Sequence, residues 1–198
     1  MGVEERMADR CNTIRLYSFQ TDVVYQVLKR DGVCYSKEEY VRKKYKESAK
    51  VFINAYGWFV KEAQHIVPKP EGAEYPYWAF TDLYNVDQTG DGHVLTLDVP
   101  IGEAILFDMF DWTKIMQMHY IGENESEEAT FSEELKNMGM NEFQIMTSNF
   151  YPEQKARIQE SWKRLFGHQQ AIEAGDNSGV HSVQAGLWCI KDEWIGKE

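Results

Sequence analysis

The sequence predicts an α+β fold, a mixed β-sheet packed by several helices. Apolar residues alternate with a period of two in some stretches and recur every three or four residues in others, as in strands and helices respectively. The chain also carries 6 Trp, 11 Tyr and 10 Phe among its 198 residues, and these large side chains supply a core. We expect residues 13–198 to form a single domain behind a flexible N-terminal tail, residues 1–12.

Period-two alternation predicts the strands. The first strand places Leu16 on one face and Tyr17 on the other. The last strand is apolar on both faces, which is typical of a central strand. The predicted strands are residues 14–20, 77–81, 93–99, 104–107 and 182–190.

Capping residues and spacings of three and four predict the helices. Thr21 is a candidate N-cap and Gly32 a natural stop for the first helix. Ser36 and Glu39 have the spacing of a capping box. Pro152 suits a first helical turn, and Ile158, Trp162, Leu165 and Phe166 then form one apolar stripe. The predicted helices are residues 22–31, 37–66, 111–119, 132–138 and 152–166, with an acidic loop at 122–128.

The net charge of −11 argues against a general nucleic-acid binder, because such proteins need a basic face. The basic run Arg42, Lys43, Lys44 and Lys46 is interpreted as a solvated helix face, with a phosphate-binding patch as the alternative. Three scattered cysteines form neither a disulfide framework nor a zinc site. Since no signal peptide or membrane-spanning stretch is visible, we expect a cytoplasmic protein without a membrane partner.

Five blocks of the sequence stand out, in this order: Leu16 with Gln20-Thr21; Pro68-Lys69-Pro70-Glu71-Gly72 with Tyr75-Pro76; residues 94–100; Thr147-Ser148-Asn149-Phe150-Tyr151-Pro152 with Lys155, Ile158 and residues 161–166; and Gln184-Ala185 with Trp188, Ile190 and Glu193-Trp194-Ile195. Together these blocks resemble the bacterial domain of unknown function 3841 family over about residues 14–195. The resemblance implies a small cytoplasmic bacterial or phage protein, and it implies no functional residues.

The segment from Asp87 to Asp98 has the spacing of a calcium-binding EF-hand loop. The alternative is a tight turn between two strands, which we favour because residues 96–100 cannot form the exiting helix that an EF-hand needs. In the strand 93–99, the side chains of Leu95, Leu97 and Val99 then point to the core and that of Asp98 points away from it. The histidines lack metal-binding spacing, and no nucleophile, phosphate-loop or dinucleotide motif is present. We therefore predict no metal site.

Polar residues on otherwise apolar strands are the candidate binding residues. Gln20 and Thr21 end the first strand, and Gln184 lies within the last. A buried amide needs hydrogen-bond partners. Such residues therefore either join a strand to a neighbouring segment or point into a pocket, and both alternatives stay open.

Two functions compete. The first is a non-enzymatic interaction or binding protein, because catalytic motifs are absent and aromatic residues are abundant. The second is an NAD-consuming transferase of the ADP-ribosyltransferase-like kind, suggested by the order of elements. Its catalytic candidates are Tyr17, Tyr77 and Glu193. No cofactor is predicted under the first function, and NAD is predicted under the second.

Overall fold

Strands and helices follow one another irregularly along residues 13–39 and 49–196, which the computed structural model describes. The expected tail, residues 1–12, and the basic run, residues 42–46, lie outside the described residues. The order is β1 (Thr13–Gln20), α1 (Asp22–Asp31), β2 (Val33–Tyr35), α2 (Ala49–Ala63), β3 (Tyr77–Phe80), β4 (His93–Pro100), β5 (Ala104–Asp108), α3 (Met109–Met116), α4 (Glu125–Asn137), α5 (Glu142–Thr147), α6 (Pro152–Ser161), α7 (Gln169–Glu173), β6 (Val183–Leu187) and β7 (Cys189–Lys191).

Five strands form one sheet in the order β4-β1-β3-β6-β5, and β2 pairs with β7 in a second sheet. The α+β class is confirmed. Every strand pair among the described residues is antiparallel. We predicted a mixed sheet, and this part of the prediction is wrong. Connectivity explains the difference, because a parallel neighbour needs a crossover that returns to the same sheet. Helix α1 instead leads from β1 out of the large sheet into β2.

The large sheet is strongly coiled. Its edge strands, β4 and β5, are joined by only the short 3-10 turn Ile101–Glu103. In a flat sheet, four strand spacings would separate the edges by about 19 Å. The four steps from Pro100 to Ala104 can span at most about 14 Å. The sheet therefore curls; we call the face that carries Leu97 the inner face and the opposite face the outer face.

The inner face holds one of two hydrophobic clusters. Alternation sends Leu95, Leu97 and Val99 of β4 inward, as the sequence predicted. Small residues on the other strands, such as Ala79 and Ala185, leave room for them. Inner-face packing thus follows directly from the period-two pattern.

The outer face carries the second, more aromatic cluster beneath α2 and α3. Phe59 of α2 and Trp112 of α3 pack on Phe107 of β5, with ring centroids 5.6 and 6.3 Å apart. Helix α2 approaches closely because Gly186 of β6 lacks a side chain. A Cβ atom there would lie 2.9 Å from the Phe59 ring. These helices cover β3, β6 and β5 but leave the outer side chains of β1 half-buried or exposed.

Most predicted helices are present with shifted ends. Gly32 ends α1 in the left-handed conformation at φ 77°, as predicted, but Thr21 caps it without a side-chain hydrogen bond. The expected acidic loop at 122–128 is wrong, because α4 begins inside it. Asn124 accepts a hydrogen bond from the Glu127 N–H. Glutamates in the first turn also stabilise the helix through their interaction with the positive end of its dipole.

The predicted strand 182–190 is confirmed in part, since it divides into β6 and β7 at Trp188. The Trp188 indole donates to the Val67 carbonyl at 2.7 Å. This contact turns the chain from the large sheet into the small one, where β7 pairs with β2.

Asp108, the last residue of β5, connects this strand to the start of α3 and to the segment before β6. Its carboxylate accepts the backbone N–H groups of Phe110 at 2.9 Å and His181 at 3.0 Å, and it lies 2.9 Å from the His181 Nδ1. Burial acts to raise the pKa of Asp108, but the hydrogen bonds from His181 and Phe110 outweigh it and hold the pKa below its ordinary value.

At the outer edge of β5, the Gln169 side chain takes the place of a neighbouring strand. Its Oε1 accepts the Leu106 N–H at 2.6 Å, and its Nε2 donates to the Ala104 carbonyl at 3.2 Å. One amide therefore satisfies two backbone groups that would otherwise be unpaired.

Candidate functional site

A row of side chains crosses the outer face of the sheet at one level. Strand register pairs each member with the next, so neighbouring Cβ atoms lie roughly 5 Å apart. In order from β5 to β4 the row is Phe107, Gln184, Phe80, Tyr17 and Thr96. Two residues singled out from the sequence, Tyr17 and Gln184, thus share one surface with Phe80 between them.

Gln184 is buried but unpaired. Its exposed fraction is 3%, yet its amide makes no hydrogen bond among the described residues. In that part of the chain, no fully enclosed side-chain nitrogen or oxygen lacks a partner. Both amide atoms of Gln184 must therefore keep a small accessible area. The donor and the acceptor of this amide are therefore both accessible and unpaired among the described residues.

Beside Gln184 lies an aromatic shelf, which we define as Tyr17, Phe19, Trp78 and Phe80. All four side chains are half-buried. They form a two-by-two array on β1 and β3, because the register that pairs Tyr17 with Phe80 also places Phe19 beside Trp78. The four side chains give this part of the outer face an aromatic, partly accessible surface.

The helices over the outer face hold one side of the shelf in place. Trp78 donates its indole N–H to the Tyr56 hydroxyl of α2 at 2.7 Å. Its ring also packs on Trp112 of α3, with centroids 4.8 Å apart. The hydrogen bond and the ring contact together fix the orientation of the half-buried Trp78 ring.

The charges next to the shelf neutralise each other. Arg15 precedes Tyr17 on the same face of β1, and its guanidinium binds both carboxylate oxygens of Asp98 at 2.9 and 3.2 Å. Both side chains are exposed, so the pair adds little stability. The Arg15 guanidinium is therefore already paired with a carboxylate.

Gln20 and Thr21 lie away from this surface. Gln20 points to the inner face, where it donates to the Ser18 hydroxyl at 2.8 Å, and Ser18 donates to the Trp78 carbonyl at 2.7 Å. Thr21 is exposed at the start of α1. Among the three candidates, Gln20 joins the strands together, and Gln184 alone is unpaired and buried.

The three candidates for the transferase function are not brought into one row. Tyr77 lies on the inner face, opposite to Tyr17, and its hydroxyl is 3.1 Å from the Cys34 sulfur. Glu193 is exposed in the 3-10 turn Asp192–Trp194. Near that turn, burial raises the pKa of the Cys189 thiol to about 11, which disfavours a nucleophilic thiolate.

The calcium-like segment contains a strand instead of a continuous ion-binding loop. Asp98 lies in β4 and faces Arg15, while Asp87 accepts the Thr89 N–H and hydroxyl at 3.0 and 2.7 Å. Within residues 13–39 and 49–196, no group of three or more His, Cys, Asp or Glu residues is arranged to hold a metal ion.

A family model described as a domain of unknown function, DUF3841, matches residues 15–196. The chain belongs to the DUF3841 family. No curated protein and no solved structure matches this DUF3841 chain. In the part that the structure describes, none of its helices has the length and apolar character to cross a membrane.

Sequence reasoning missed most of the shelf of this DUF3841 protein. Phe19, Trp78 and Phe80 alternate outward on their strands, so their direction was readable from the pattern. Their proximity to Gln184 depends on which strands are neighbours, and the pattern within one strand does not contain that information.

Proposed function

We propose that this DUF3841 protein is a non-enzymatic binding protein that takes a flat-ring ligand on the aromatic shelf beside Gln184. The observation that carries the proposal is the Gln184 amide, 3% exposed and without a hydrogen-bond partner among the described residues. An unpaired buried amide costs about 1–3 kcal/mol, and a ligand or water can offset that cost.

The positions of the transferase candidates support binding over catalysis. The shelf lies on the outer face of the sheet, and neither Tyr77 nor Glu193 belongs to its row. A stacking ligand gains apolar contact with Tyr17 and Phe80, while the Gln184 amide contacts its edge. The NAD-consuming function is not part of the proposal.

Binding is tested by NMR titration of a ¹⁵N-labelled protein with indole, adenosine and nicotinamide, which follows the Trp78 indole signal. We expect at least one ligand to shift that signal. Tyr17→Ala and Phe80→Ala should each weaken its affinity about tenfold, since one stacked ring contributes about 1–3 kcal/mol. Tyr84→Ala is the matched control, because Tyr84 is 92% exposed outside the row, and it should bind like the wild type.

Two outcomes contradict the proposal. One is a titration in which no flat ring shifts the signal, or in which the shelf variants bind normally. The other is release of nicotinamide from NAD by the purified protein, which chromatography detects and which would indicate an enzyme.

A separate measurement tests whether Gln184 is structural. Gln184→Leu removes an unpaired amide while keeping similar volume, so the free energy of unfolding should stay equal or rise. If urea denaturation shows a loss above about 1 kcal/mol, Gln184 stabilises the fold through bonds and the binding argument fails.

A further inference from the structure

Gln184, beside the shelf, differs from the four shelf residues because its amide can form directional hydrogen bonds with a ligand. We infer that its amide selects flat nitrogen heterocycles whose edge carries a hydrogen-bond donor next to an acceptor, the class that includes nucleobases and nicotinamide. This inference rests on the proposed function, and it adds the chemical identity of the ligand to it.

The first support is that both amide atoms are free at once. A glutamine amide has a donor and an acceptor side by side in one plane. At Gln184 neither is used within the described residues, and neither is fully enclosed. A ligand that supplies only one complementary group would leave the other atom unpaired.

The second support is position. Gln184 lies on β6 between β3 and β5, so its backbone is fixed on both sides. Phe80 is its direct cross-strand neighbour, and Tyr17 follows on β1. A ring stacked over Phe80 and Tyr17 therefore presents its edge, not its face, toward Gln184.

The third support is charge. Arg15, the cation on the same face of β1, is bound by Asp98 through Nε and Nη2. The chain as a whole carries a net charge of −11. Stacking and the amide then recognise the neutral ring, and this surface does not require a phosphate on the ligand.

Paired analogues test the inference by calorimetry. Adenosine has an amino donor beside a ring nitrogen, whereas purine riboside lacks the amino group. Nicotinamide has a carboxamide, whereas 3-acetylpyridine keeps only its acceptor. Since one bidentate amide contact discriminates by about ten- to a hundredfold, the wild type should bind the better member of at least one pair more than tenfold more tightly.

Two variants test whether the Gln184 amide causes this difference in affinity between paired analogues. Gln184→Leu should bind both members of the pair equally, because it has no polar group to satisfy. Gln184→Glu should bind the amide-complementary member more weakly than the wild type, because a carboxylate has no donor. Tyr84→Ala, the exposed control, should keep the full discrimination.

The outcomes separate the two proposals. Equal binding of all paired analogues, with affinity still dependent on Tyr17 and Phe80, overturns the inference and leaves the proposed function intact. The same holds if indole binds the shelf and neither adenosine nor nicotinamide does. If no flat ring binds at millimolar concentration, the proposed function is wrong and the inference falls with it.

Discussion

Trp162 is the best place to test how the helices of this protein are held together. Its side chain is fully buried, and its indole donates to the His119 carbonyl at 2.6 Å. The ring also makes an edge-to-face contact with Trp58, with centroids 5.4 Å apart and planes at 84°. Trp162→Ala removes this volume and the donor together, so we expect a loss of about 3–5 kcal/mol in the free energy of unfolding.

A second substitution separates packing from hydrogen bonding at the same position. Trp162→Phe keeps an aromatic ring but leaves the His119 carbonyl without its donor, which costs about 1–3 kcal/mol. Urea denaturation with a fixed m value measures both losses, and for a chain of this size each kcal/mol lowers Tm by about 2–4 °C. Phe150→Ala is the control, since Phe150 is 76% exposed and should change stability by less than about 0.5 kcal/mol. A loss below about 1 kcal/mol for Trp162→Ala would show that the packing argument is wrong.

Two further predictions concern ions. Thermal melts in millimolar calcium and in chelator should coincide, because Asp98 pairs with Arg15; a rise of several degrees that magnesium does not reproduce would contradict this. Asp108 has a folded pKa below its unfolded value of about 3.9, so its charge stabilises the fold above that pH, and the stabilisation is lost as pH falls through the folded pKa. The stability difference between wild type and Asp108→Asn should shrink as the pH falls below about 4 in urea titrations, and a difference that stays the same through this fall would refute the prediction.

Local patterns in the sequence predicted the local structure well. Alternation placed Leu97 on the inner face and Asp98 on the outer face of β4, and Gly32 ended α1 as expected. Spacing also placed Trp162 on a buried helix face. Each of these depends on residues within one element, where side-chain direction follows directly from backbone periodicity.

Long-range pairing was not predictable in the same way. The antiparallel order of the sheet depends on where each connection returns, and the coiling depends on a three-residue link between edge strands. The acidic start of α4 was predicted as a loop, whereas its glutamates stabilise a helix N-terminus.

The candidate site was likewise predictable within single strands but not in how the strands come together. Gln184 was predicted as a binding candidate and Tyr17 as a catalytic candidate, but only the register brings them onto one face with Phe80 between them. Gln20 was a candidate of equal standing, and its inward direction with a Ser18 partner distinguishes it from Gln184. Whether a polar strand residue is paired depends on its neighbours in space, which one sequence does not state.

The Gln169 amide at the edge of β5 limits the width of the sheet. A free edge strand is a template for another molecule's strand, and such pairing is the first step of sheet-to-sheet aggregation. Here an incoming strand would have to displace both hydrogen bonds that Gln169 makes to Leu106 and Ala104. Growth of the sheet by strand addition is therefore opposed at Leu106 and Ala104 by a side-chain amide, without a covering strand.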